Sequence, residues 1–135
     1  MRSMGTLRAG RQLAALALAI AVAGCAFAPA APREGAVRVT PIERARWDLP
    51  PEPGLFRVAF DAAVSAEIRR RTVATVAAED IDIHYAEIRV LENEADRELK
   101  ARGLCSGTTA FLGPLVGGDG QGAMSAIFKC RPTIF

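Results

Sequence analysis

The most regular pattern of apolar and polar positions lies in the second half of the chain. Its apolar residues recur at spacings of three and four, at Ile88, Leu91, Ala95 and Leu99. This spacing predicts an amphipathic helix over residues 84–102, whose apolar face would pack on a sheet. Asp82 is the predicted N-cap of this helix, and Gly103 lies just past its end, where glycine is favoured.

An alternating pattern runs from Phe56 to Ile68. Apolar residues occupy every second position, with charged residues or serine between most of them. A period of two predicts a half-buried strand. The alternative makes Asp61 the N-cap of a helix over 62–70, because Val64 and Ile68 are four residues apart. The alternation favours the strand, and the helix stays open as the alternative.

Further short strands are predicted on both sides of the long helix. The β-branched residues of 72–77 predict a second strand, which acidic residues end. After the helix, residues 108–112 and 124–130 predict two more strands, with a glycine-rich turn at 117–122 between them. This order predicts an α+β domain, a small antiparallel sheet with one amphipathic helix packed on one face.

Residues 26–54 interrupt these patterns. They contain six of the eight prolines, and proline fixes φ and lacks a backbone donor. The segment therefore predicts an extended tether, with residues 37–39 as at most a brief edge strand, in front of a domain spanning 55–135. Trp47, the only tryptophan, is expected to dock back on that domain, since a large aromatic side chain usually finds apolar cover, with insertion into a partner as the alternative.

The N-terminal pattern is basic, then apolar, then small. Arg2, Arg8 and Arg11 precede an apolar run from Leu13 to Ala23, and no acidic residue appears before Glu34. This order is typical of a secretory signal peptide. The apolar run is shorter than the roughly 20 residues that a membrane-spanning helix needs.

The segment Val22–Cys25 has a branched apolar residue and two small residues before a cysteine. It resembles the lipobox of bacterial lipoproteins. The resemblance covers residues 1–25 and implies a signal peptide over 1–24, cleavage before Cys25, and fatty chains such as palmitate on Cys25. Two acyl chains suffice for stable membrane anchoring. Ala26 follows instead of aspartate, which by the same resemblance implies the outer membrane, facing the periplasm. The rest of the chain resembles no family.

Cleavage before Cys25 would change the charge. It removes three arginines, so 14 basic and 15 acidic residues remain from the 17 and 15 of the whole chain, a net charge of about −1. No basic run indicates a nucleic-acid partner.

The cysteines also fit an exported protein. Three cysteines are an odd number, but a lipidated Cys25 leaves Cys105 and Cys130 as a pair. An oxidising compartment favours a disulfide between them, with two separate buried thiols as the alternative.

Candidate metal chemistry rests on three residues, Asp80, Asp82 and His84. They alternate, so on a strand they would share one face, and two carboxylates with an imidazole suit a divalent metal. Their ordinary interpretation is capping of a helix, so no metal and no cofactor are expected.

Other candidates carry less chemistry. Arg69–Arg71 is suited to phosphate contacts, although a solvated turn is its ordinary use. Gly117–Gly122 lacks the Lys-Ser/Thr ending of a phosphate-binding loop. Ser65, Ser106 and Ser125 lack the Gly-x-Ser-x-Gly setting of a hydrolase nucleophile.

The prediction for function is therefore a non-catalytic envelope lipoprotein. It would be held at the membrane by its lipid and act as a binding or accessory subunit of an envelope protein. One alternative is a periplasmic sensor that binds a small ligand or a metal through Asp80, Asp82 and His84. Another is an inhibitor that inserts the loop Gly117–Gly122 into the cleft of a hydrolase.

Overall fold

The computed structural model describes residues 31–117 and 122–133. The segment predicted as a signal peptide, the predicted cleavage site and Cys25 lie outside the described residues. The elements in chain order are β1 (Val37–Ile42), β2 (Leu55–Phe60), α1 (Ala62–Glu79), α2 (Ile83–Ala101), β3 (Thr108–Phe111), β4 (Val116–Gly117) and β5 (Met124–Arg131). Within these ranges no helix has the length and apolar character needed to cross a bilayer.

The strands form one antiparallel sheet, which confirms the predicted α+β class. Its order is β1-β2-β5-β3, and the short β4 pairs with β5 beside this path. Val39 lies opposite Val58, and Val58 lies opposite Ala126. Because side chains alternate across a strand, this row and the rows two residues away face the helices.

Two helices cover the sheet instead of the predicted one. The strand predicted from Phe56 to Ile68 ends at Phe60, and the strand predicted for 72–77 is the second half of α1. Asp61 Oδ1 accepts a hydrogen bond from Val64 N at 2.8 Å and begins the helix, so the alternative interpretation is the correct one.

The residues of α1 explain why the strand prediction failed. Val64, Ile68 and Thr72 are buried and four residues apart, which is the helical period. The other apolar residues of α1 are mostly alanines, which can occupy buried or exposed positions and favour a helix. The hydroxyl of Thr72 donates to Ile68 O at 2.8 Å, so this β-branched residue satisfies its polar group within the helix.

Helix α2 agrees with its prediction to within one residue at each end. Asp82 Oδ1 accepts from His84 N at 2.9 Å, which confirms Asp82 as the N-cap. Gly103 follows the C-cap with φ of +68°, a backbone conformation that costs glycine nothing. The buried face of α2 includes Leu91, Ala95 and Leu99, and it packs against the sheet as predicted.

The core lies between the helices and this face of the sheet. Phe60 and Phe128 are its largest fully buried side chains. Phe128 also meets Phe111 edge to face, with ring centroids 5.8 Å apart. The predicted disulfide between Cys105 and Cys130 is present, with Cα atoms 5.6 Å apart, and it ties the chain after α2 to β5.

Strand β1 lies inside the segment predicted as a tether. It pairs with β2 over six residues, from Val37 to Ile42, and so extends further than the brief edge strand expected for 37–39. Pro41 fits this position because β1 is an edge strand, where a missing N–H removes no ladder bond.

Candidate functional site

One face of the sheet is covered by neither of the helices in the described ranges, and it is here called the helix-free face. One row across it joins Arg38, Ala59, Ser125 and Val116, which lie opposite one another on β1, β2, β5 and β4. Strand spacing makes this row about 14 Å wide. The next row joins Thr40, Arg57 and Ile127.

Two connecting segments lie against the helix-free face. Residues 43–54 follow β1, and residues 112–115 precede β4. Together with β2, β4 and β5 they line a cavity of about 410 Å³, and by themselves they line a second of about 650 Å³. The two cavities share Ala45, Arg46 and Pro114 and therefore adjoin. The backbone N–H of Leu112 donates to Ile127 O at 2.9 Å and holds the second segment in place.

Trp47 projects from the first of these segments. Its side chain is 91% exposed, so the prediction that it docks on the domain is wrong. Arg46 and Asp48 form a bidentate ion pair at 2.9 and 2.8 Å, and Leu49 N donates to Arg46 O at 3.1 Å. These bonds close a local turn with Trp47 at its tip, away from the core.

Other large apolar side chains that line these two cavities are exposed. Leu49 lies on the same segment as Trp47, Leu112 lies on the opposite segment, and Val116 lies on β4. We call these three residues, with Trp47 and the exposed Arg38 and Arg57, the Trp47 surface. Large exposed apolar groups that gather in one place, rimmed by polar residues, mark interaction sites.

The arginines of the Trp47 surface have no carboxylate partner. Within 31–117 and 122–133, neither Arg38 nor Arg57 forms an ion pair, whereas Lys129 on the same face pairs with Glu52. Because both side chains are exposed, their charges face solvent or a partner.

Charge is segregated between the two layers of the domain. Residues 61–102 and Arg33, which pairs with two carboxylates of this helical layer, contain eight basic and ten acidic residues, a net charge of −2. The remaining described residues, the sheet with its connections, contain six basic and four acidic residues, a net charge of +2. The domain therefore carries opposite charge on its helical and sheet sides.

A second polar feature lies on the helical side. Glu98 is fully buried and Glu94 is 3% exposed, yet both are charged residues of α2. Arg33 pairs with both carboxylates, and its Nε lies 3.0 Å from Glu98 Oε1. Arg71 of α1 also pairs with Glu94. We call Arg33, Arg71, Glu94 and Glu98 the Arg33 cluster; it holds the chain before β1 against both helices.

The electrostatics of the Arg33 cluster favour the charged form of its arginine. Burial opposes a charge on Arg33, but the hydrogen bond to Glu98 and the attraction of Glu94 outweigh it and raise the pKa of Arg33. The guanidinium is therefore a permanent cation, whose role is to position the N-terminal segment. The i,i+4 pair of Glu98 and Arg102 places nitrogen and oxygen at 3.7 Å.

The three candidate metal ligands, Asp80, Asp82 and His84, lie where α1 ends and α2 begins. Asp80 ends α1 in a left-handed conformation with φ of 51°, and its N–H donates to Val76 O. Asp82 caps α2, and His84 is exposed in the first turn of that helix. In the part of the chain that the structure describes, no group of three or more His, Cys, Asp or Glu is arranged to hold a metal.

The predicted arginine turn at 69–71 does not form, because these residues belong to α1. Arg69 donates to Gly122 O at 3.1 Å, Arg71 joins the Arg33 cluster, and Arg70 is exposed. Ser65, one of the serines considered as nucleophiles, is buried, and its hydroxyl bonds to Phe60 O and Met124 N. Of the loop Gly117–Gly122, residues 118–121 lie outside the described ranges.

Comparison with protein-family models, curated protein sequences and solved structures found no match to this chain.

Proposed function

We propose that this protein is an envelope lipoprotein, anchored at the outer membrane through Cys25, in which the α+β domain is a non-catalytic binding or accessory subunit. Two features of the chain support the anchor. The segment Val22–Cys25 follows a signal-like leader, and the domain contains a disulfide, which suits a compartment outside the cytoplasm.

The observation that carries the binding role is the Trp47 surface. Trp47 is 91% exposed, and three further apolar residues of this surface are exposed as well. Exposure of this much apolar surface to water is unfavourable, so it marks an interaction site. Tryptophan and arginine are also the residue types most enriched at binding hot spots.

The Arg33 cluster limits how far the domain could stand from such an anchor. Arg33 is fixed to α2, and it follows Cys25 by eight residues. Fully extended, eight residues reach at most about 29 Å. The anchor would therefore hold the domain within one domain diameter of the bilayer, in place of the longer tether that the prolines predicted.

The anchor is tested by metabolic labelling with a palmitate analogue, followed by membrane fractionation. The full chain should be labelled and sediment with membranes, and Cys25→Ser should lose both the label and the sedimentation. The matched control replaces the other two cysteines together, Cys105→Ser with Cys130→Ser, and it should keep the label. Label that is unchanged in Cys25→Ser would refute the anchor.

The binding role is tested by crosslinking in intact cells. A photoreactive residue at Leu49 should give a discrete crosslinked product, to a protein or to lipid, and the same residue at Arg70, on the helical side, should not. Equal products from both positions, or none from either, would argue against an accessory subunit that binds through the Trp47 surface.

A further inference from the structure

We infer that the Trp47 surface docks on an anionic lipid bilayer, so that the helix-free face lies against the membrane and the helical layer points away. This inference rests on the proposed function for one step, because it treats the domain as tethered through Cys25. It adds the partner of the surface, lipid headgroups, and the orientation of the domain.

The side chains of the Trp47 surface match the chemistry of a membrane interface. Tryptophan is enriched at the boundary between headgroups and hydrocarbon, where its ring is apolar and its N–H meets polar groups. Trp47 stands at the tip of a turn that the Arg46–Asp48 pair closes, so it can enter the interface without any rearrangement of the core. Leu49 and Leu112 supply apolar contact on either side of the adjoining cavities.

The charge of the helix-free face complements a bilayer that contains anionic lipids. Arg38 and Arg57 are exposed and have no carboxylate partner in the described ranges. Each arginine near such a surface strengthens binding about fivefold. Arginine also forms bidentate hydrogen bonds with phosphate oxygens, which every phospholipid headgroup carries.

The segregation of charge selects the orientation. The helical layer with Arg33 carries −2 and the sheet side carries +2, so a negative surface attracts one side of the domain and repels the other. A charged membrane surface has no pockets for single side chains, so it attracts or repels a protein face according to the net charge of that face. This favours a bilayer over a protein partner as the occupant of the Trp47 surface.

The short connection to Cys25 makes weak docking sufficient. A lipid anchor converts docking into an intramolecular step, and a short flexible linker gives an effective concentration in the millimolar range. Because the Arg33 cluster fixes the chain from residue 33 onward, no more than eight residues separate the domain from the anchor.

The experiment uses the full lipidated chain, purified from membranes and reconstituted into vesicles. One set is phosphatidylethanolamine with phosphatidylglycerol, and the other is phosphatidylcholine alone. Trp47 is the only tryptophan, so its emission reports this surface without a label. We expect a shift of the emission to shorter wavelength, and quenching by brominated lipid, on the anionic vesicles. The same emission on both vesicle types would overturn the inference and leave the surface to a protein partner.

Two matched charge reversals sharpen the test. Arg57→Glu, on the helix-free face, removes a positive charge and adds a negative one, so docking should weaken about 25-fold. Arg70→Glu makes the same change on the exposed side of α1 and should alter docking less than about twofold, as expected of a charge held away from the bilayer. Equal weakening by both variants would mean that net charge alone matters, which contradicts the proposed orientation.

The same samples separate this inference from the proposed function. Flotation with phosphatidylcholine vesicles reports the lipid anchor alone. If the chain does not float there but Trp47 shifts on anionic vesicles, the anchor is refuted and the docking is supported. If the chain floats with both vesicle types and Trp47 stays in water on both, the anchor is supported and the docking is refuted.

Discussion

The two faces of one sheet do different work. On strands β2 and β5 the residues that face the helices are apolar and buried, among them Val58, Phe60 and Phe128. Their immediate neighbours in sequence, Arg57 and Lys129, face the other way and carry charge. Alternation therefore lets the same strands supply the core on one side and a chemically distinct surface on the other.

The difference shows where stability and binding are located. The covered face removes large apolar side chains from water, which is the main favourable term in folding. The helix-free face keeps Trp47 in water and leaves Arg38 and Arg57 without carboxylate partners in the described part of the chain. Substitutions on the two faces should therefore separate folding from binding.

Phe128→Ala should give the largest loss of stability. Phe128 is fully buried and contacts the core on the covered face, so its truncation leaves a cavity and should lower the free energy of unfolding by about 4 kcal/mol. Urea denaturation followed by circular dichroism measures it. Thr40→Ala, an exposed position on the helix-free face, is the control and should change the value by less than about 0.5 kcal/mol. Equal losses would mean that the two faces do not differ as described.

Removing the disulfide should have the next largest effect. The bond closes a loop between Cys105 and Cys130, a sequence separation of 25 residues. Cys105→Ala with Cys130→Ala should lower the free energy of unfolding by about 3 kcal/mol in the chain-entropy model. Reductant should destabilise the wild-type chain by a similar amount and leave the double variant unchanged. A wild-type chain that ignores reductant would contradict the prediction.

Glu98→Gln should cost less, because the arginines around it are partly exposed. The change removes a fully buried carboxylate that accepts from both the backbone N–H and Nε of Arg33, and we expect a loss of about 2 kcal/mol. Glu87→Gln, on the same helix and without an ion pair in the described residues, should cost less than about 0.5 kcal/mol. Denaturation midpoints of the two variants make the comparison.

The pH dependence of the Arg33 cluster follows from the raised pKa of Arg33. A cation whose pKa is higher in the folded state stabilises that state fully at pH values below its unfolded pKa, and loses this as the pH rises through its folded pKa. For an arginine this window lies in strong alkali. Arg33 should therefore contribute equally to the free energy of unfolding at pH 7 and pH 9. A double-mutant cycle that combines Arg33→Met with Glu98→Gln, measured at both pH values, checks this.

The contrast between the two helices explains how far the sequence could predict this fold. Helix α2 was predicted nearly to the residue, because its apolar stripe has the helical period and both caps are present. Six of the 18 residues of α1 are alanines, and alanine does not distinguish a buried position from an exposed one. The better local signal was Asp61, a residue type that favours the N-cap position and does cap the helix in the structure.

The candidate site was less predictable, since it depends on contacts between distant parts of the chain. Arg33 and Glu98 are 65 residues apart, and nothing in their local sequence marks them as partners. Sequence spacing alone can pair only near neighbours on one helix, such as Glu98 and Arg102. Trp47 was expected to be buried because of its size, whereas the local ion pair of its neighbours decides that it points outward.

Trp47→Ala should have the smallest effect on stability and thereby give the sharpest contrast with Phe128→Ala. Both changes delete a large aromatic ring, but Trp47 is 91% exposed, so its removal takes little apolar area out of a packed environment. We expect the free energy of unfolding to change by less than about 0.5 kcal/mol, measured by urea denaturation with circular dichroism. A loss of 2 kcal/mol or more would mean that Trp47 packs on the domain in solution, and the Trp47 surface would then be part of the fold and unavailable for binding.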